Sequence, residues 1–184
     1  MNSSDNDLVK ECLEGNKKAF EEIVERYYKT IFRLSFRITR NHDDAEEITQ
    51  STFVKAYENL SSFNFKYKFF SWIYRIAVNE SLNLSKKSSK MEQIDERYTN
   101  DETNPEKIFE KSEFNNSIKE AILQLELLYR LPVVLKHFFD YSYSDLSYIL
   151  DIPEKTVKSR LYTGRQLLKD ILINRRDLQN GNIR

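Results

Sequence analysis

The sequence predicts an all-α fold: two small helical domains joined by a flexible linker, the C-terminal one containing a helix-turn-helix. Three observations predict it. Only 3 Gly and 3 Pro occur among 184 residues, whereas a strand-rich chain needs turn residues every few positions. Apolar residues recur at steps of three and four along most of the chain, the period of helices with one buried face. Between two such stretches the pattern lapses into a polar, acidic segment. With 40% hydrophobic and 32% charged residues, the chain has apolar material for two small cores under solvated faces.

Leu8, Val9, Cys12 and Leu13 mark a first short helix, which Gly15-Asn16 ends. Phe20, Ile23, Val24, Tyr27, Ile31, Leu34 and Ile38 define a second helix of roughly 23 residues, broken at Asn41-His42-Asp43. Asp43 and Glu46 have capping-box spacing and are expected to open a third helix through Ile48, Phe53, Val54 and Tyr57. Residues 60–68, with Ser61, Ser62 and Asn64, read as a loop. A fourth helix is expected from Phe69 to Lys87, with Phe69, Ile73, Ile76, Ala77 and Leu84 on its apolar arc. Lys68, Trp72, Arg75, Asn79, Asn83 and Lys86 fall on the opposite stripe. Glu80 lies on the apolar side, against the pattern.

Residues 87–116 lose the periodicity. Over residues 91–118, 8 Asp and Glu outweigh 3 Lys and Arg; such a composition cannot offset the entropy of ordering, so residues 91–113 are expected to form an acidic flexible linker. Short helical pieces around Ile108 and Phe109 are compatible with it. The helical pattern returns from Phe114 through Ile118, Ile122, Leu125 and Leu128, and Pro132 is expected to start or kink the next helix. Tyr143 to Leu150 reads as a short helix, Asp151-Ile152-Pro153 as a tight connection, and Glu154 opens a last helix running to about Ile173. The domains are expected at 1–90 and 114–184.

Several function classes are disfavoured. A single Cys12 permits neither an intramolecular disulfide nor a thiolate metal site, and points to a reducing compartment. The polar start, Met1-Asn2-Ser3-Ser4-Asp5, lacks the features of a signal peptide. No apolar run approaches the ~20 residues that span a bilayer. A cytoplasmic protein without membrane insertion is therefore expected. His42 and His137 are the only histidines, too few for the usual metal hydrolase site. Neither a Gly-rich phosphate loop nor a nucleophile–base constellation appears. Catalysis, a cofactor and a metal are not expected.

Two constellations point to DNA. Residues 143–168 form a helix-turn-helix expected to pack through Leu146, Ile149, Val157 and Leu161. With Val157, Leu161, Gly164 and Leu168 facing inward, Lys155, Lys158, Ser159, Tyr162 and Thr163 lie on or near the outer face, with Arg160 beside them. Cations for phosphates and short polar groups for base edges are what a recognition helix needs. An ordinary helical hairpin has the same periodicity; the 7 cations against 2 anions over residues 153–176 favour DNA. The second constellation joins the loop and polar stripe of the fourth helix. Lys66, Lys68, Arg75, Lys86, Lys87 and Lys90 are interleaved with Phe63, Phe65, Tyr67, Trp72 and Tyr74. Cations track a phosphate backbone, and exposed rings receive unpaired bases; for any single ring, a place in the core is the alternative.

The stretch Asp140-Tyr-Ser-Tyr-Ser-Asp-Leu-Ser-Tyr-Ile-Leu-Asp-Ile-Pro-Glu-Lys-Thr-Val-Lys-Ser-Arg-Leu161 resembles the upstream-element-binding domain of the extracytoplasmic-function (ECF) sigma factors, the smallest members of the main bacterial sigma family. Asp44-Ala-Glu-Glu-Ile-Thr-Gln-Ser-Thr-Phe-Val-Lys-Ala-Tyr57 is similar to the polymerase-binding helix of that family, and Phe70-Ser-Trp-Ile-Tyr-Arg-Ile-Ala-Val-Asn79 to its downstream-element helix. The resemblance implies sigma region 2 at 1–90 and region 4 at 114–184. It implies contacts from Glu47, Gln50, Ser51 and Phe53 to core RNA polymerase. Phe63, Asn64, Lys66 and Lys68 would then lie in the loop that captures a flipped base of the −10 element, with Trp72, Arg75, Asn79 and Asn83 beside it. Lys155, Lys158, Ser159, Arg160, Tyr162 and Thr163 would meet the −35 element. It further implies promoter DNA as a ligand and an anti-sigma factor as a partner.

Three positions depart from the family pattern. Ser51 stands where an acidic residue is usual, Glu126 where Pro is usual, and Thr163-Gly164-Arg165 where a basic-small-basic triplet is usual. A mid-helix Gly costs about 1 kcal/mol. A helix-turn-helix regulator acting without core polymerase is the alternative function; it would bind duplex DNA by itself, as a dimer on a palindrome.

Overall fold

In the computed structural model, all regular structure among the described residues is helical. The structure describes residues 3–92 and 113–179, with side chains over 3–84 and 118–175. Nearly all of the expected linker, including Ile108 and Phe109, therefore lies outside the described residues, as do the side chains of Lys86, Lys87 and Lys90. The chain divides into two compact units, one of residues 1–97 with 147–151, the other of residues 98–146 with 152–184.

The first unit contains α1 (Asp5–Leu13), α2 (Lys17–Thr39), α3 (His42–Glu58), a 3-10 turn (Leu60–Ser62) and α4 (Phe69–Glu92). Short polar side chains set three of the helix starts by accepting an otherwise unpaired backbone N–H. Ser4 accepts from Asp7, Asn16 from Lys18 and Asn41 from Asp44. The last corrects the expected start of α3. Arg40 turns left-handed at φ 57° to end α2, which lets Asn41 cap and places Asp43 inside the helix. Glu46 is drawn elsewhere, accepting from the Tyr28 hydroxyl at 2.7 Å.

α2 packs along α1, α3 and α4, and α3 along α4. Leu8, Ile23, Ile31, Leu34, Ile48 and Ile73 are almost fully buried between them. α1 is pinned by a polar clamp, in which Arg26 pairs with Asp5 at 2.5 Å and the Tyr27 hydroxyl donates to the same carboxylate at 2.5 Å. α4 is more deeply enclosed than its expected stripe implies. Trp72, Tyr74 and Val78 are buried along with Phe69, Ile73 and Ala77, because α2 and α3 cover α4 while the rings of Phe63 and Phe69 flank Trp72. Trp72 is thus a core residue.

The second unit contains α5 (Glu113–Leu123), α6 (Leu127–Phe139), the first turn of α7 (Tyr143–Leu150) and α8 (Glu154–Gln179), the rest of α7 being grouped with the first unit. α5 and α6 are separated at Leu125, where the Arg130 guanidinium folds back and donates to the carbonyls of Leu123 and Leu125. Pro132 does not start α6 but lies buried within it. Asp140 and Asp151 end α6 and α7 at φ 49° and 54°. Together with Arg40 they take left-handed positions where Gly is common, which is how the chain ends helices with so few glycines. The capping box expected near Asp43 occurs instead at α7: Ser142 Oγ accepts from the Asp145 N–H at 3.1 Å, and Asp145 accepts from the Ser142 N–H.

α8 packs on α6 and α5 and extends past the expected end, with Arg175 paired to Glu120 at 2.6 Å. Gly164 marks the close crossing with α6. A Cβ there would lie 3.0 Å from Val133 Cγ2 and 3.3 Å from the Tyr129 carbonyl, so the low helix propensity of Gly is offset by tight packing. Gly164→Leu is expected to overpack this crossing and destabilise the unit by about 1–3 kcal/mol. Thermal unfolding checks it, and an unchanged midpoint would refute the crossing. No helix among the described residues is long and apolar enough to cross a membrane.

Candidate polymerase and DNA interfaces

On α3, Glu47 and Gln50 are exposed and Ser51 is half-buried. Phe53 is buried, its ring stacked on Tyr28 with centroids 6.3 Å apart. Helical spacing from Glu47 through Gln50 and Ser51 leads instead to Val54, which is 57% exposed. Phe53 therefore supports this face from beneath, and Val54 lies on it. The seven-residue step from Glu47 carried that signal, which matching to a family pattern missed.

The misfit of Glu80 is resolved here. Its carboxylate accepts from the Ser51 hydroxyl at 2.7 Å and pairs with Lys55 at 2.6 Å. Burial opposes its ionisation, but the bonds from Lys55 and Ser51 outweigh that and hold its carboxyl below the usual range. The carboxylate missing at Ser51 relative to the family pattern is thus present beside it, supplied from α4.

The loop preceding α4 is shaped by its own side chains. Asn64 Oδ1 accepts from the Lys66 N–H at 3.0 Å, and the Asn64 carbonyl accepts from Tyr67, a local turn built by Asn. Phe63 is buried, its ring 5.1–5.5 Å from those of Phe65, Phe69 and Trp72. The exposed rings are Phe65, at 42%, and Tyr67, at 47%. Among the candidate aromatics, Phe63 and Trp72 are therefore anchors, and their neighbours Phe65 and Tyr67 are the exposed ones. Lys66, Lys68, Asn79 and Asn83 are exposed and Arg75 is half-buried. Lys68 lies over the Phe70 ring at 5.3 Å.

Along α7 and α8, Leu146, Ile149, Val157 and Leu161 are all buried, as the helix-turn-helix pattern requires. Lys155, Lys158, Ser159 and Tyr162 share one exposed stripe of α8, and Tyr162 is 67% exposed. Arg160 and Thr163 flank it, half-buried. Lys158 and Lys136 both approach the ring of Tyr143, at 5.2 and 5.7 Å. Lys136 and Tyr143, from α6 and α7, thus extend the stripe beyond the residues legible on one helix.

Neither histidine belongs to a group of three or more metal-ligating side chains among the described residues. His137 accepts from Arg165 at 3.3 Å. Burial first, then the charges of Arg165 and Lys136, push its imidazole below the ordinary value. His42 lies edge-on to Phe32.

Known proteins share this architecture. Residues 23–91 match the Sigma-70 region 2 family and residues 115–168 the Sigma-70 region 4 family. The chain is 34% identical to the ECF RNA polymerase sigma factor SigW of Bacillus subtilis over 173 residues, 88% of this chain and 92% of that one. It is 29% identical to the ECF RNA polymerase sigma-E factor of Haemophilus influenzae, over 91% of this chain and 94% of that one. Its fold is similar to the sigma factor RpoE from Bartonella quintana, solved with the anti-sigma factor NepR, at TM-score 0.72 and 22% identity over 84% of this chain and 97% of that one. It is also similar to CnrH, solved with the cytosolic domain of CnrY, at TM-score 0.71 and 20% identity over 94% and 99%.

Proposed function

Because this chain belongs to the ECF family of RNA polymerase sigma factors, the subunits that direct core polymerase to promoters, we propose how its residues divide that work. Residues 1–90 hold core polymerase through Glu47, Gln50, Ser51 and Val54 on α3. The loop at 63–68 and Arg75, Asn79 and Asn83 of α4 take the −10 element, with Phe65 and Tyr67 offering ring faces to an unstacked base. Residues 114–184 read the −35 element through Lys155, Lys158, Ser159 and Tyr162, flanked by Arg160 and Thr163.

The observation that carries this reading is the exposed stripe of α8, whose cations, short polar group and aromatic ring suit a major groove. Each DNA contact by itself is weak. Tethering both through polymerase, across the acidic linker at 91–113, raises the effective concentration of the second contact once the first is made. The work is recognition and positioning, so the chain itself carries no catalytic group, cofactor or metal, and it acts in the cytoplasm. A protein of the anti-sigma class is its proposed inhibitory partner, covering surfaces needed for polymerase.

Run-off transcription with purified core polymerase on fragmented genomic DNA tests the reading. The expected result is defined start sites that appear only when the chain is added. A regulator acting without polymerase would instead bind duplex fragments by itself, with no new start sites.

A further inference from the structure

Glu80 is placed where two faces of the first unit meet. Ser51 and Lys55 are one turn apart on α3, and both reach this carboxylate, Ser51 at Oε2 and Lys55 at Oε1. Asn83 follows three residues along α4, one turn from Glu80 on the same helix. An ionised carboxylate has about four acceptor positions, and the two donors from α3 take one on each oxygen, which fixes its orientation. The side chain is only 13% exposed, against 45% for Lys55, so little water competes. Removing such an acceptor strands two polar groups at once.

We propose that Glu80 is a positioning residue that links the polymerase-facing side of α3 to the −10-facing side of α4. The link rests on the assignment of Ser51 to polymerase and Asn83 to DNA made above. When polymerase engages α3, any shift of Ser51 or Lys55 moves the carboxylate they share, and with it the turn of α4 that carries Asn83. Two sites joined by one acceptor respond to each other reciprocally: if core binding tightens −10 binding by some factor, the −10 strand tightens core binding by the same factor. The sequence alone hides this role, because Glu80 looks like a polar error on an apolar arc.

The test uses the full chain with saturating core polymerase, binding a fork-junction DNA whose −10 strand is single. Saturating core removes any loss of core affinity from the readout. Ser51→Ala is expected to weaken fork binding about fivefold while Glu80 is present, and to have no further effect in combination with Glu80→Ala. Glu80→Gln keeps an acceptor oxygen for the Ser51 hydroxyl and should retain part of the link; it carries the comparison if Glu80→Ala does not fold. A merely structural Glu80 would lower the unfolding midpoint yet leave Ser51→Ala silent at saturating core. That silence, with Asn83→Ala still weakening fork binding, overturns the link and leaves the −10 assignment standing. If Asn83→Ala is silent as well, the −10 assignment falls and takes the link with it. An equal Ser51→Ala effect with and without Glu80 also overturns it.

Discussion

Replacing Trp72 with alanine is expected to cost about 3–5 kcal/mol of stability and to disable −10 recognition as a consequence. The indole is 8% exposed, and its ring centroid lies 5.5 Å from that of Phe63 and 5.6 Å from that of Phe69. Phe63 in turn holds Phe65 at 5.1 Å, so the chain of contacts runs from core to open loop. Removing the indole leaves a cavity beneath Phe63, and the loop at 63–68 loses its footing. Denaturant unfolding of the purified variant, beside fork-junction binding, checks both halves. Lys66→Ala provides the contrast, with an unchanged unfolding midpoint and weakened, less salt-dependent binding. A Trp72→Ala chain as stable as its parent but defective on the fork would show that the indole meets DNA directly.

The second large effect is expected at the −35 element. Lys158→Ala and Tyr162→Ala each remove a projecting group from the exposed stripe of α8, where Tyr162 is the most exposed large apolar side chain. A good base or phosphate contact contributes roughly 1–3 kcal/mol, so the double variant should lose at least tenfold in transcription from a promoter carrying both elements. Affinity for core polymerase should be unchanged, since neither residue supports the first unit. Competition for core against the parent chain separates the two outcomes, and reduced core affinity would refute the assignment. Lys158 has a second tie, to the Tyr143 ring, so Tyr143→Ala should mimic part of the loss.

Much of this was legible in the sequence, for a physical reason. Helical period is a strong signal wherever one face of a helix is buried, so α2 and α7 begin and end where spacing places them. Period also predicted the burial of Leu146, Ile149, Val157 and Leu161. It failed where burial is not one-sided: α4, enclosed by neighbours, buries Trp72 on its expected polar stripe. Capping failed for a different reason. Asp43 and Asn41 are both competent caps, and the choice was made by Arg40 adopting a left-handed turn that no pattern announces. Glu80, Arg130 and Gly164 are tertiary in origin, each explained only by a partner at least five residues away in sequence, from Leu125 beside Arg130 to Val133 and Ser51. Within the candidate interfaces, the residue types were legible but the choice between neighbours was not. Phe53 and Val54, or Phe63 and Phe65, differ only in which way a single side chain turns.

The doubled bond from Arg130 has a mechanical outcome. Its flat guanidinium staples the end of one rod to the corner where the next begins, so α5 and α6 form a stiff bracket rather than a hinge. α8 rests on both arms of that bracket. Lysine, a compact charge with no fork, could not hold two carbonyls in that geometry, so Arg130→Lys would loosen the bracket.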